Sequence, residues 1–259
     1  ATAYGIAVTA TMIITSIMAF VVIWKMWGWS AWKAAALIVP LVIVEIIFFA
    51  ANMLKVMDGG WMPLLLAAFL ALVMATWVQG AKIIVRHARK TGGDLEWLTR
   101  KLEQKPPARV PGTAVFLTST PDMAPTAMMH NLKHNRVLHE RNIILAIKTE
   151  DTPRVARHAR VEIERISETF IRVVAHYGFM ETPSIPKVFE HCRRKDLNID
   201  MGGTSFFLSR RSLKPARGKG LPLWQEGLFL SLAASAEDAT TYFGIPTDRV
   251  VEIGTQVEI

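Results

Sequence analysis

The 259 residues carry 30 Lys and Arg against 22 Asp and Glu, a formal net charge of +8, and 51% of them are hydrophobic. The charge is segregated, because only Lys25, Lys33, Lys55, Glu45 and Asp58 precede Lys82; this excludes a uniformly soluble globule and implies two regions. Cys192 is the single cysteine, so no intrachain disulfide forms, as expected for a domain in a reducing cytosol.

Three apolar stretches, Ala3 to Trp24, Ala34 to Leu54 and Trp61 to Ala81, occupy the first third, and Glu45 is the one charge within them. At about 1.5 Å per residue each makes a helix that covers the ~30 Å hydrocarbon layer. Residues 1–81 are therefore read as three transmembrane helices. Tyr4, Thr9, Thr11 and Thr15 place oxygen atoms on the first helix, and a hard alkali cation takes oxygen ligands in place of its water. The competing reading is that membrane threonines bond back to the carbonyl four residues earlier. Ala3, Ala7, Thr11, Thr15 and Ala19 form a stripe of small residues on which another helix can pack. Glu45 lies mid-helix, where an acid costs about 2.5–3.5 kcal/mol, so it faces protein or water. It is either an ion-path or proton-relay residue or a neutral acid bonded to a neighbouring helix. Pro40 frees the carbonyl of Ala36. Asn52 is placed to bond across helices and Lys55 to snorkel outward. Gly59 and Gly60 make a tight turn that leaves the second and third helices antiparallel, and six tryptophans near the predicted ends suit an interfacial belt.

Residues 82–107 are a basic juxtamembrane linker. Eight basic residues between Lys82 and Arg109 stand against three acids, which places this flank in the cytoplasm by the positive-inside rule and favours contact with anionic lipid over nucleic acid. Threading back puts Ala1 outside, at an apolar start without an initiator Met, and Ala1 is read as a truncation point. Asp94 to Gln104 forms a short helix capped by Asp94, with Leu95, Leu98 and Leu102 on one face, placed to lie along the inner membrane surface.

Residues 108–259 alternate strand-like and helix-like runs and are read as a cytoplasmic α/β domain. The predicted strands are Thr113 to Thr118, Asn142 to Lys148, Arg160 to Ile166, Thr169 to Ala175, Thr204 to Ser209 and Arg249 to Val257. The predicted helices are Ala124 to Asn135, Ile185 to Lys195 and Leu223 to Phe243. His130, His134 and His139 invite a zinc reading, but no acid lies between the first two, so no metal site is assigned. The glycines at 218 and 220 lack nucleotide-loop spacing, and no catalytic triad or carboxylate pair is evident. The chain is expected not to be an enzyme and to need no cofactor.

Certain blocks carry a family resemblance. AYGIAVTATM at Ala3 to Met12, EIIFFAANMLKVMDGGWMPL at Glu45 to Leu64 and TWVQG at Thr76 to Gly80 resemble the last three membrane helices of the Kup/HAK/KT potassium-uptake permeases. VPGTAVFLTS, HNLKHNRVLHER, YGFMETPSIP, TSFFLSR and RVVEIGTQVEI, from Val110 to Ile259, are similar to the tail of that family's bacterial branch. The resemblance implies a polytopic permease of the bacterial inner membrane, its bundle of the amino-acid/polyamine/organocation type, in which potassium enters with protons. This chain would carry the tenth to twelfth helices, and its partners would be the lipid bilayer, the preceding membrane helices of the same protein and a possible second copy, with no nucleic acid. In relatives the tenth helix flanks the ion path, which makes Tyr4, with Thr11 and Glu45, the cation-path candidates; Glu45 stands where the family usually has Asp. The alternative is a membrane-anchored cytoplasmic ligand-sensing or regulatory domain.

Overall fold

The computed structural model describes residues 2–54, 56–58, 60–91, 93–214, 221–235 and 239–258. The readings that fall on Lys55, Gly59 and the glycines at 218 and 220 lie outside these residues. The chain divides into two compact units, Ala1–Thr76 and Trp77–Ile259, and the division falls inside a helix.

In the first unit α1 (Thr2–Lys25) and α2 (Ala31–Met53) pack against each other, and α3 (Trp61–Thr91) begins. All three helices are long and apolar enough to cross a membrane, over Tyr4–Lys25, Ala31–Met53 and Trp61–Arg86. A helix bonds every backbone group within the segment, as a spanning segment in lipid must. Gly28, at φ +71°, supplies the left-handed residue that lets the chain leave α1. The pair is antiparallel. Ile23 of α1 packs with Ala34 and Ile38 of α2 at one end, and at the other a Cβ added to Gly5 would stand 2.8 Å from Asn52 Oδ1. Asn52 itself donates to the Phe48 carbonyl of its own helix, 3.1 Å away, so it meets α1 by packing. The small-residue stripe meets α2 only at its end: Ala19 packs with Ile23, Ala34 and Ile38, whereas Ala7, Thr11 and Thr15 are exposed.

The second unit is a six-stranded mixed sheet in the order β3-β4-β2-β1-β5-β6, built from β1 (Ala108–Thr118), β2 (Val137–Glu150), β3 (Val161–Arg165), β4 (Phe170–Gly178), β5 (Thr204–Lys214) and β6 (Val250–Glu258). Every pair is parallel except the β3–β4 hairpin. The central strands read as near-continuous apolar runs because both faces are covered. Alternate residues serve opposite faces. Val115, Ile143, Val173 and Phe206 join Val188, Phe189 and Cys192 of α6 (Ile185–Arg193) in one core. Ala114, Phe116, Ile144 and Phe207 join α4 (Leu95–Gln104) and α5 (Thr126–His134) in the other, through Leu95, Leu98, Ala127 and Met128.

All six expected strands are present, and the differences have physical causes. β1 starts at Ala108 instead of Thr113 because a bulge between Val110 and Thr113, with Gly112 at φ +100°, carries the strand past a Pro-Gly pair that reads as a break. The leucine face of α4 is used by the domain core and is not free for a membrane surface. The helix expected over Leu223 to Phe243 is two, α7 (Leu223–Ala234) and α8 (Ala239–Phe243). Their anchors differ: α7 seats Phe229 beside Ile83 and Ile84 of α3, whereas Phe243 at the end of α8 packs on the sheet core.

Candidate functional site

Helical periodicity puts Tyr4, Ala7, Val8, Thr11, Met12, Thr15 and Ser16 along one face of α1, and with Glu45 of α2 they line an open groove of about 410 Å³. All three cation-path candidates, Tyr4, Thr11 and Glu45, border this one groove. Tyr4 is 75% exposed. Thr11 donates its hydroxyl proton to the Ala7 carbonyl at 2.8 Å, and Thr15 donates to the Thr11 carbonyl at 2.8 Å. This back-bonding fixes each hydroxyl with its proton turned along the helix and leaves an oxygen lone pair available. Thr9, the remaining hydroxyl considered, is buried and donates to the Gly5 carbonyl at 2.8 Å.

Ser16 donates to Glu45 Oε1 at 2.8 Å. The other carboxyl oxygen, Glu45 Oε2, is buried and has no hydrogen-bond partner among the described residues. A buried polar atom left without a partner costs about 1–3 kcal/mol, so the site is chemically unfinished at this atom. The groove thus offers hydroxyl and carboxyl oxygens on an otherwise apolar surface, a donor set that suits a weakly hydrated hard cation or a proton. Ser16 escaped the sequence reading, since a serine in an apolar helix reads as packing; it lies one turn after Met12 on the edge of the groove.

The α/β domain has a separate cavity of about 290 Å³, lined by Leu117, Thr118 and Ser119 at the carboxyl end of β1, Thr126 of α5, and residues of β2, β5 and α8. The strand order reverses here, since β1 is flanked by β2 on one side and β5 on the other, and α5 and α6 lie against opposite faces. Crevices of this kind, outside the carboxyl ends of parallel strands, are where such sheets take ligands.

One ion pair in the domain is tied into the backbone. Arg160 donates to both carboxyl oxygens of Glu181, at 2.5 and 2.7 Å, and to the carbonyls of Val155 and His176. The backbone N–H groups of Val155 and Gly178 donate to Glu181 as well. The Arg160 guanidinium, helped by these amides, holds the Glu181 carboxyl down at about 2. Burial pushes the Cys192 thiol up to about 12, making it a core residue with little thiolate. His130 and His134 stack at 5.8 Å on α5, while His139 sits on β2 edge-on to Phe207, with its pKa lowered by burial.

Residues 1–82 match the family model described as the K+ potassium transporter integral membrane domain, and residues 111–259 that of the K+ potassium transporter C-terminal domain. The chain is 53% identical over its whole length to the probable potassium transport system protein Kup 2 of Rhodopseudomonas palustris strain BisA53, covering 41% of that protein. It is 53% identical to the probable potassium transport system protein Kup of Nitrobacter hamburgensis, covering 39% of it, and 54% identical to the Kup 2 protein of Bradyrhizobium sp. strain BTAi1, covering 41%. The chain thus spans about two fifths of the length of these curated relatives. No solved structure matches it at a significant level.

Proposed function

Because the chain belongs to the K+ potassium transporter family, whose two models match residues 1–82 and 111–259, we propose that it is part of a permease that takes up potassium with protons across the bacterial inner membrane. It acts as a transporter and not as an enzyme. The observation that carries the reading is Glu45, a mid-helix carboxyl with one oxygen held by Ser16 and the other buried without a partner among the described residues, on the groove bordered by Tyr4 and Thr11. Acids persist inside membranes where they handle ions or protons.

In this proposal the complete protein is a bundle of the amino-acid/polyamine/organocation type. Further membrane helices of the same protein close the groove, and the α/β domain lies in the cytoplasm, where the basic flank after α3 favours it. The test is potassium or rubidium uptake by the complete gene in cells lacking their own potassium importers. Rescue at low potassium is expected, with Tyr4→Phe weakening apparent potassium affinity at unchanged expression and Glu45→Gln slowing uptake. Absence of rescue overturns the transport reading, and unaltered kinetics in both variants removes these residues from the path.

The cavity at the strand carboxyl ends favours a second role in the same protein, control of transport by a small ligand. Among the described residues no charged side chain lines it, and Leu117, Leu145, Leu208 and Phe243 accompany the hydroxyls of Thr118, Ser119, Thr126 and Ser209, a lining that suits an uncharged and partly apolar ligand part. A nucleoside is the probe of first choice. Protection of the complete protein against thermal unfolding, abolished by Ser209→Trp, is expected; no protection would remove this role.

A further inference from the structure

The helices α6 and α7 belong to one unit and obey opposite rules. In α6 the apolar residues Ile185, Val188, Phe189 and Cys192 are buried, while Lys187, Glu190 and Arg193 are exposed to solvent. In α7 the single charged residue, Glu226, is turned inward and is 4% exposed, and Phe229 is buried beside it. Outward stand Trp224, 57% exposed, and Gly227 and Ser231, with Leu228 half-buried and no charge among them. Water is a poor neighbour for such a face.

Phe229 fixes where this face lies. Its ring packs on Trp77, with centroids 5.6 Å apart, and it closes over Gly80 of α3, where any added Cβ would collide with it. Trp77 and Gly80 fall inside the segment of α3 that is long and apolar enough to cross a membrane. A helix held against that segment sits at the level of the lipid boundary. Ahead of α7, residues 211–219 contain Arg211, Lys214, Arg217 and Lys219 and no acid, while Arg210 is paired with Glu252. Basic residues beside an apolar helix are attracted to anionic headgroups, each by about 1 kcal/mol.

We infer that α7 is an interfacial membrane helix, buried on one side against α3 and on the other in the anionic leaflet that faces the α/β domain, so that the loop between β5 and β6 tethers the sheet to lipid. The inference rests on α3 crossing the membrane.

Gly227 offers the reporter position, because an added Cβ there meets nothing within 4 Å, and Cys192 is buried and does not compete for label. Gly227→Cys in the complete transporter, carrying an environment-sensitive fluorophore, is reconstituted into phosphatidylcholine vesicles with and without phosphatidylglycerol, each with lipid-borne quenchers. Quenching at headgroup-proximal depth is expected, stronger with phosphatidylglycerol, and Arg217→Gln with Lys219→Gln should abolish that enhancement. Water-like emission without quenching overturns the inference, as does a dry but unquenched label, which would mean that another protein helix covers α7. A label at Leu70→Cys on α3 separates the two readings: if it too escapes quenching, the membrane assignment has failed along with the helix.

Discussion

Arg160–Glu181 in the α/β domain and Ser16–Glu45 between α1 and α2 both hold a carboxyl by side-chain hydrogen bonds, but the two sites are finished to different degrees. Both Glu181 oxygens accept from Arg160, and two backbone amides add to them. Glu45 accepts from Ser16 on one oxygen and has nothing on the other among the described residues. At Glu181 the domain supplies every partner from its own chain, although elsewhere in it His139 Nδ1, Asn142 Oδ1 and Glu226 Oε1 are buried without a partner among the described residues. The helix pair leaves its polar groups on an open groove, as expected of part of a larger bundle. A finished site stabilises a fold; an unfinished one leaves a carboxyl oxygen still to be satisfied.

The largest expected effect comes from Arg160→Ala. It deprives a carboxylate whose side chain is 17% exposed of its charged partner while the Val155 and Gly178 amides remain, and losing hydrogen bonds to a charged group costs on the order of 1.5–3 kcal/mol. Urea unfolding of the detergent-solubilised chain should show the loss; a change under about 1 kcal/mol would put the pair among ordinary surface contacts and dissolve the contrast. Acid reads the same pair. With the folded-state pKa of Glu181 lowered from 4.5 to about 2, its contribution is complete above the ordinary carboxylate value and disappears as pH falls through the folded one. Stability should therefore decline between pH 4.5 and about 2, and Glu181→Gln should flatten that part of the profile while lowering stability at neutral pH.

The contrast also explains what the sequence made legible. Strands such as Asn142 to Lys148 were readable because burial on both faces demands unbroken β-branched and apolar runs. The order of the strands was not, since pairings such as Ile143 with Ile171 join distant segments that share no local pattern. Tyr4 and Thr11 could be placed on one face by helical period alone. That Ser16 would meet Glu45 required knowing how α1 and α2 align, which depends on Gly5 meeting Asn52 at one end and Ile23 meeting Ala34 at the other. The outward apolar face of α7 was hidden for a similar reason: its composition reads as core, and only its seat on α3 shows which side is covered.

A smaller effect tests whether α4 belongs to the finished region. Asp94 accepts from the Trp97 backbone N–H at 2.8 Å, and Leu95 and Leu98 are buried in the domain core. Asp94→Ala should lower the domain's unfolding free energy by about 1 kcal/mol. If the variant left stability unchanged, α4 would be an appendage of the membrane flank and not part of the core.

The smallest change in stability, and the sharpest test of the contrast, is Ser16→Ala. Interhelical hydrogen bonds of this kind contribute about 0.6 kcal/mol on average, because the alternative state finds partners too. The α1–α2 packing through Ile23, Ala34 and Ile38 should therefore survive, and expression with it. Function should respond more than stability does, since Ser16 orients the carboxyl and without it both Glu45 oxygens lack a fixed partner among the described residues. The complete transporter carrying Ser16→Ala should show weakened apparent potassium affinity at near-normal protein levels. A variant that lost protein while keeping wild-type uptake kinetics per molecule would show that Ser16–Glu45 is a structural clasp, and the two carboxyl sites would then differ in strength but not in kind.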